Sequence, residues 1–177
     1  GFTIQNGRVV GENGGGLALW GGAHVLTGNT ISGNTAHEQG GGILMGSASA
    51  GSTLINNVIT DNSADGSGSG LCIDRGPARL WHTTVARNTG GDGSGILVTE
   101  CADCESPSVT FTNTIVVQDS VGISVTGGTT VTVNGILWYG TPITVSQSST
   151  ATVVVHNQYV GNPAFAVDGY HLTASSA

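Results

Sequence analysis

The stretch GNTISGNTAHEQGGGI at residues 28–43 returns almost unchanged as NNVITDNSADGSGSGL at residues 56–71. A period of this kind constrains the fold strongly, because each copy must do the same structural job in the same surroundings. The copies align on an apolar residue followed three positions later by Asn. These are Ile31-Ser32-Gly33-Asn34, Ile59-Thr60-Asp61-Asn62 and Val85-Ala86-Arg87-Asn88, with Val116-Val117-Gln118-Asp119 carrying Asp instead. The anchors are 28, 26 and 31 residues apart. Five residues before each anchor stands a second apolar residue: Leu26, Leu54, Leu80 and Phe111. Gly-rich stretches lead to Leu17, Ile43, Leu71, Ile96 and Ile123. Partial or simpler copies stand at both ends, as GFTIQNG and as TVTVNGILWYGTPITV followed by ATVVVHNQYVGNPAF.

Each copy holds two or three short β-branched runs bounded by Gly, Asn and Asp, which are strand and turn signals. No stretch carries a capped 3.6-residue apolar period, so no substantial α-helix is expected. A period of 20-odd residues made only of strand and turn predicts an all-β solenoid, a parallel β-helix of about seven coils. Stacked coils would lie ~4.8 Å apart. The odd spacing from Leu26 to Ile31 puts both inside only if the chain bends between them. Gly28-Asn29 and Asn56-Asn57 stand at that bend, where Gly and Asn accept left-handed backbone. Stacked Asn side chains can also bond one another along the rod. The whole chain, 1–177, reads as one β-helix domain. Gly1 starts within a coil, so the sequence is expected to be a segment of a longer chain, with neighbouring domains or subunits capping its coil ends.

Composition narrows the function. Charged residues are 8% and the net charge is −7, with no Lys and only Arg8, Arg75, Arg79 and Arg87 as strong bases. A nucleic-acid footprint needs clustered positive charge, so nucleic acid and anionic membranes are excluded as partners. No apolar run approaches the ~20 residues of a membrane-spanning helix. The many Val, Ile and Thr argue against disorder. The 30 Gly follow no three-residue period, which excludes collagen.

The paired signatures Gly-Gly-Gly-Ile at 40–43 and Ile-Ser-Gly-Asn at 31–34 resemble the GGA[ILV] and FxxN repeats of polymorphic outer-membrane proteins, autotransporter adhesins with a β-helical passenger. They are also similar to wider bacterial surface proteins with right-handed β-helix repeats. Asn162-Pro163-Ala164-Phe165, Tyr170-His171-Leu172 and Ser175-Ser176-Ala177 resemble the segment that closes such helices in large secreted proteins of the choice-of-anchor type, with Ser176 where that type has Pro. A C-terminal closing segment over 157–177 follows from the likeness. The resemblance implies a right-handed β-helix and an extracellular or cell-surface location. It supplies no catalytic residues.

Stacking converts equal offsets into contacts. Asp61 and Arg87 both lie two residues after their anchors, and Arg75 and Glu100 both lie four after Leu71 and Ile96. Two structural salt bridges are expected. Glu12, Glu38, Asp65 and Asp92 fall in four successive Gly-rich turns, and such a column could hold calcium through carboxylates and turn carbonyls. Differing turn lengths favour splayed, solvated charges. Cys101 and Cys104 sit in the longest insertion, where a local disulfide suits an oxidising compartment; Cys72 is left as a lone thiol. A β-helical glycosidase needs grouped carboxylates, and Asp61, Asp74 and Asp119 have different offsets. Thr-x-Thr pairs at 110–112, 130–132 and 150–152 suggest a small ice-binding face, although Thr suits any exposed strand. Trp20, Trp81 and Trp138 could form a sugar-stacking surface.

The expected function is therefore a non-catalytic structural or adhesive segment: a stalk, a spacer, or a subunit of a filament or layer. Its surface ligand could be a polysaccharide or another cell-surface component. A polysaccharide lyase or glycoside hydrolase fragment is the alternative.

Overall fold

A computed structural model describes residues 1–46, 51–100, 108–167 and 172. The chain winds as the repeats require. A partial first coil contributes β1 (Thr3–Gln5). The second coil runs through β2 (Leu17–Trp20), β3 (Val25–Thr27), β4 (Thr30–Ser32) and β5 (Thr35–Ala36). The third repeats it as β6 (Ile43–Gly46), β7 (Ser52–Ile55), β8 (Val58–Thr60) and β9 (Ser63–Ala64). The fourth holds β10 (Leu71–Asp74), β11 (Ala78–Trp81) and β12 (Thr84–Ala86). In the last three coils the two middle strands fuse. The pairs there are β13 (Ser94–Thr99) with β14 (Ser108–Val117), β15 (Val121–Val125) with β16 (Thr130–Tyr139), and β17 (Ile143–Gln147) with β18 (Thr152–Val160). The total is six full turns after a partial one, slightly fewer than the expected seven, because the Gly1–Gly16 copy supplies only one strand.

Every strand pairs in parallel with its counterpart one coil away. One wall is the six-stranded sheet β2-β6-β10-β13-β15-β17, and a ten-stranded sheet bends into the other two walls. The three repeated apolar positions form three interior columns. Ile31, Ile59, Val85, Val116 and Trp138 stand in register. So do Leu26, Leu54, Leu80, Phe111 and Val133. Leu17, Ile43, Leu71, Ile96 and Ile123 form the third. From Ile31 and Ile43 onward these residues are buried, in one continuous core.

Two corners recur in each coil, each made by one residue with left-handed backbone. The first corner is Gly28, Asn56, His82, Asn113, Gly135 and Asn157, with φ between 50° and 77°. The second is Asn6, Gly33, Asp61, Arg87, Gln118 and Gly140, with φ between 54° and 62°. Each corner reverses the in–out alternation once, which is how residues five apart both reach the core.

Candidate functional site

The polar groups that recur inside the coils are organised by the second corner. The residue after it, Asn34, Asn62 or Asn88, is buried and turned inward. Asn62 Oδ1 accepts the Asn34 backbone N–H at 3.0 Å and its Nδ2 at 2.9 Å. Asn88 Oδ1 repeats this for Asn62, at 3.0 Å for both bonds. Each amide also donates to the carbonyl of the anchor one coil below: Asn34 to Ile4, Asn62 to Ile31 and Asn88 to Ile59, at 3.1, 3.0 and 3.2 Å. The Gly-rich motif serves the same column. A Cβ on Gly42 would lie 2.8 Å from Asn62 Nδ2 and 2.6 Å from the Gly70 carbonyl oxygen. Gly16, Gly70 and Gly95 stand in the same relation to Asn34, Asn88 and Asp119. The two signatures recur together because one leaves the space that the other fills.

Asp119 ends the amide column. It is 1% exposed, and its Oδ1 accepts the Asn88 N–H at 2.7 Å. Oδ2 is buried with no hydrogen-bond partner. Burial pushes its pKa up to about 7, against the opposing pull of the Asn88 hydrogen bonds and the Arg87 charge.

Outside this column lies an ion pair. Arg87 Nη2 is 2.8 Å from Asp61 Oδ2, its Nε is 2.8 Å from Oδ1, and Thr60 Oγ1 accepts a further bond at 2.9 Å. Burial raises the Asp61 pKa, but the Arg87 and Thr60 hydrogen bonds and the Arg87 charge outweigh it and leave the carboxyl below its usual range. The spacing therefore brings Asp61 and Arg87 together, as it should for residues at the same corner. Asp119 also lies within electrostatic reach of both Arg87 and Asp61, despite the different offsets. Asp74 lies elsewhere, at the end of β10.

Three expectations need correction. Arg75 does not pair with Glu100 but with its neighbour Asp74, at 2.8 Å. Strand β10 ends at Asp74, and Arg75 turns off the wall with φ 68°, so equal offsets no longer mean equal directions. Glu100 Oε1 instead accepts the backbone N–H of Gly128. The acidic column is broken: the N–H of Glu38 bonds the Glu12 carbonyl and the N–H of Gly66 bonds the Glu38 carbonyl. Gly66, not Asp65, then receives Asp92, because the second and third turns are equally long and Asp65 stands one place earlier in its turn than Glu38 does. Asp92 spends its carboxylate on Ser94, and Glu38 accepts from Asn13 Nδ2 at 3.1 Å. Among the described residues no three of His, Cys, Asp or Glu gather as metal ligands. The Thr pairs are out of step as well. Thr110 stacks on Thr132 and then Val154, while Thr130 stacks on Thr152, so no ice-binding array forms.

The three tryptophans do not share a surface. Trp138 is 1% exposed in the core, while Trp20 and Trp81 stand exposed on different sheets. Cys72 is a free, buried thiol whose pKa is raised by burial and by the Asp74 and Asp92 charges. Cys101 and Cys104 lie outside the described residues. Of the closing segment, Tyr170, His171 and 175–177 also lie outside them. Its first residues, 157–160, belong to β18, and Phe165 forms an antiparallel bridge with Leu172.

The first corner carries a surface feature that the spacing of charges gives no sign of. A cavity of about 480 Å³ runs over Asn56, His82 and Asn113, between Val58, Thr84, Ile115 and the returning Leu172. Its described lining holds no Asp or Glu. The signal was present in the recurring position two residues after Leu54, Leu80 and Phe111, but a bend residue shows its outward direction only once the coil closes.

The repeat and the geometry agree with a family match. The model described as right-handed β-helix region covers residues 1–137. No curated protein and no solved structure matches the chain. With parallel walls, stacked apolar columns and a family match over more than three quarters of its length, the chain belongs to the right-handed β-helix family.

Proposed function

We propose that this chain is a non-catalytic structural segment at the cell surface or outside the cell, a stiff stalk, spacer or layer subunit whose contacts come from its turns and outer walls. One observation carries the reading: among the described residues, six of the eight carboxyl groups are committed to the frame, all but Glu12 and Asp65. Asp61 is held by Arg87, Asp74 by Arg75, Asp92 by Ser94, Glu38 by Asn13 and Glu100 by Gly128, and Asp119 is sealed inside. A glycoside hydrolase needs two carboxyl groups facing one substrate space, roughly 5–9.5 Å apart. The cavity over the first corner offers amide, imidazole and hydroxyl groups instead. Such groups can bind a neutral polar surface ligand, such as a polysaccharide, without cleaving it. Neighbouring domains or subunits cap the coil ends in this reading, because among the described residues β1, β17 and β18 each pair on one side only.

Depolymerisation assays test it directly. The chain is incubated with acidic and neutral polysaccharides, and reducing ends and unsaturated uronates are followed. No release is expected. Release that disappears in Asp74→Asn or Asp119→Asn would establish the enzymatic alternative.

A further inference from the structure

The amide column has a polarity that its last member breaks. In Asn34, Asn62 and Asn88, Oδ1 accepts from the coil below, and Nδ2 donates to the anchor carbonyl of that same coil. Asp119 keeps the first half of this pattern, with Oδ1 on the Asn88 N–H. By the same register its other atom, Oδ2, takes the amide nitrogen's place, and the anchor carbonyl of the coil below is that of Val85. A carboxylate oxygen and a carbonyl oxygen are both acceptors, and they can bond only with a proton between them.

We propose that Asp119 is a neutral carboxylic acid in the folded chain, donating the proton on Oδ2 to the Val85 carbonyl, and that loss of this proton opens the amide column at its fifth coil. The surroundings support it. Oδ2 is buried and unpartnered as an acceptor, and the Gly95 backbone is so near that a Cβ there would lie 2.6 Å from it. Two charged groups bear on the carboxyl: Arg87, which favours ionisation, and Asp61, which opposes it. Arg87 is already committed to Asp61 and Thr60. On β13 the neighbour is uncharged Gly95. Of the ionisable groups on the adjoining elements, Asp92 is bonded to Ser94, and Tyr139 of β16 is 38% exposed. The raised pKa is in keeping with this geometry. Protonated, the column is continuous from Gly7 to Asp119. Ionised, its end sets a buried charge against a carbonyl oxygen.

The test is a carbon-13 NMR titration of the aspartate carboxyl groups between about pH 4 and 9, with Asp119 assigned through the backbone, alongside hydrogen exchange at the Asn88 amide. Asp119 is expected to titrate at least two units above the ordinary Asp value of about 3.9. Asn88 exchange, corrected for the intrinsic pH dependence, should speed at least tenfold across that midpoint. In Asp119→Asn the corrected exchange should stay flat. An Asp119 carboxyl that titrates in the ordinary range overturns the proposal, even if the variant fails to fold. A folded variant with the wild-type pH profile at Asn88 overturns it equally.

Discussion

Replacing Asn62 by Ala removes the middle rung of the buried amide column. Asn62 is 0% exposed, and its side chain makes three bonds to the coil below and one to the coil above. Truncation leaves the Asn34 backbone N–H without an acceptor and takes the side-chain donor from the Ile31 carbonyl. The Asn34 side chain keeps its bond to Ile4, and Asn88 keeps its bond to the backbone N–H of residue 62. A buried group left unsatisfied costs about 1–3 kcal/mol. Two such groups give a loss of about 2–6 kcal/mol, a large share of the ~5–15 kcal/mol that holds an ordinary domain folded. For a chain of this size, where each kcal/mol shifts Tm by about 2–4 °C, that corresponds to a fall in Tm of about 4–24 °C. Urea unfolding followed by circular dichroism measures it, with Asn29→Ala as the comparison. Asn29 has the analogous bonds to Asn57 and Phe2, at 3.0–3.1 Å, but water reaches it, so its loss should be about 1 kcal/mol. If Asn62→Ala loses no more than Asn29→Ala, the buried column does not hold the coils together and the reasoning fails.

Two further outcomes follow from the same geometry. Gly42→Ala places a methyl group 2.6 Å from the Gly70 carbonyl oxygen and 2.8 Å from Asn62 Nδ2, and should cost at least ~2 kcal/mol in the same urea measurement. Arg87→Ala should cost no more than about 1 kcal/mol near neutral pH, because the pair's side chains are 29% and 49% exposed and solvent screens them. The Asp61 carboxyl sits below its ordinary pKa, so its contribution is present above that value and lost as pH falls through the folded one. Wild type and variant should therefore converge in strong acid, as stability curves at about pH 7 and pH 2.5 would register.

The architecture was legible because each interior column asks for one residue type at one place. Ile31, Ile59 and Val85 announce themselves, as do the Asn residues three further on. Partners between coils could be read only where neighbouring copies have equal length and both residues occupy a strand or a corner. Asp61 and Arg87 meet that condition. Arg75 and Glu100 do not, because Arg75 has left the wall. In the acidic turns Asp65 stands one place before Gly66, the residue that stacks on Glu38, and the column breaks there. Asp119 was visible as an exception to the Asn pattern, and the glycine one residue before Ile96 foreshadowed its close neighbour, yet its burial and orphaned oxygen appear only once the coils are stacked. The cavity over Asn56, His82 and Asn113 depends on Leu172, more than fifty residues further along the chain.

The fusion of strands in the last three coils gives the rod a direction. From Leu26 to Leu54 takes 28 residues, whereas Phe111 to Val133 and Val133 to Val155 take 22 each. The circumference of the last two coils is smaller, because the glycine loop between the second corner and the six-stranded wall shortens from residues 33–43 to residues 140–143. Such a shaft has a wide and a narrow end that cannot be exchanged. Any molecule clasping it from the side would meet a different girth at each height, and shape alone would oppose its sliding or flipping.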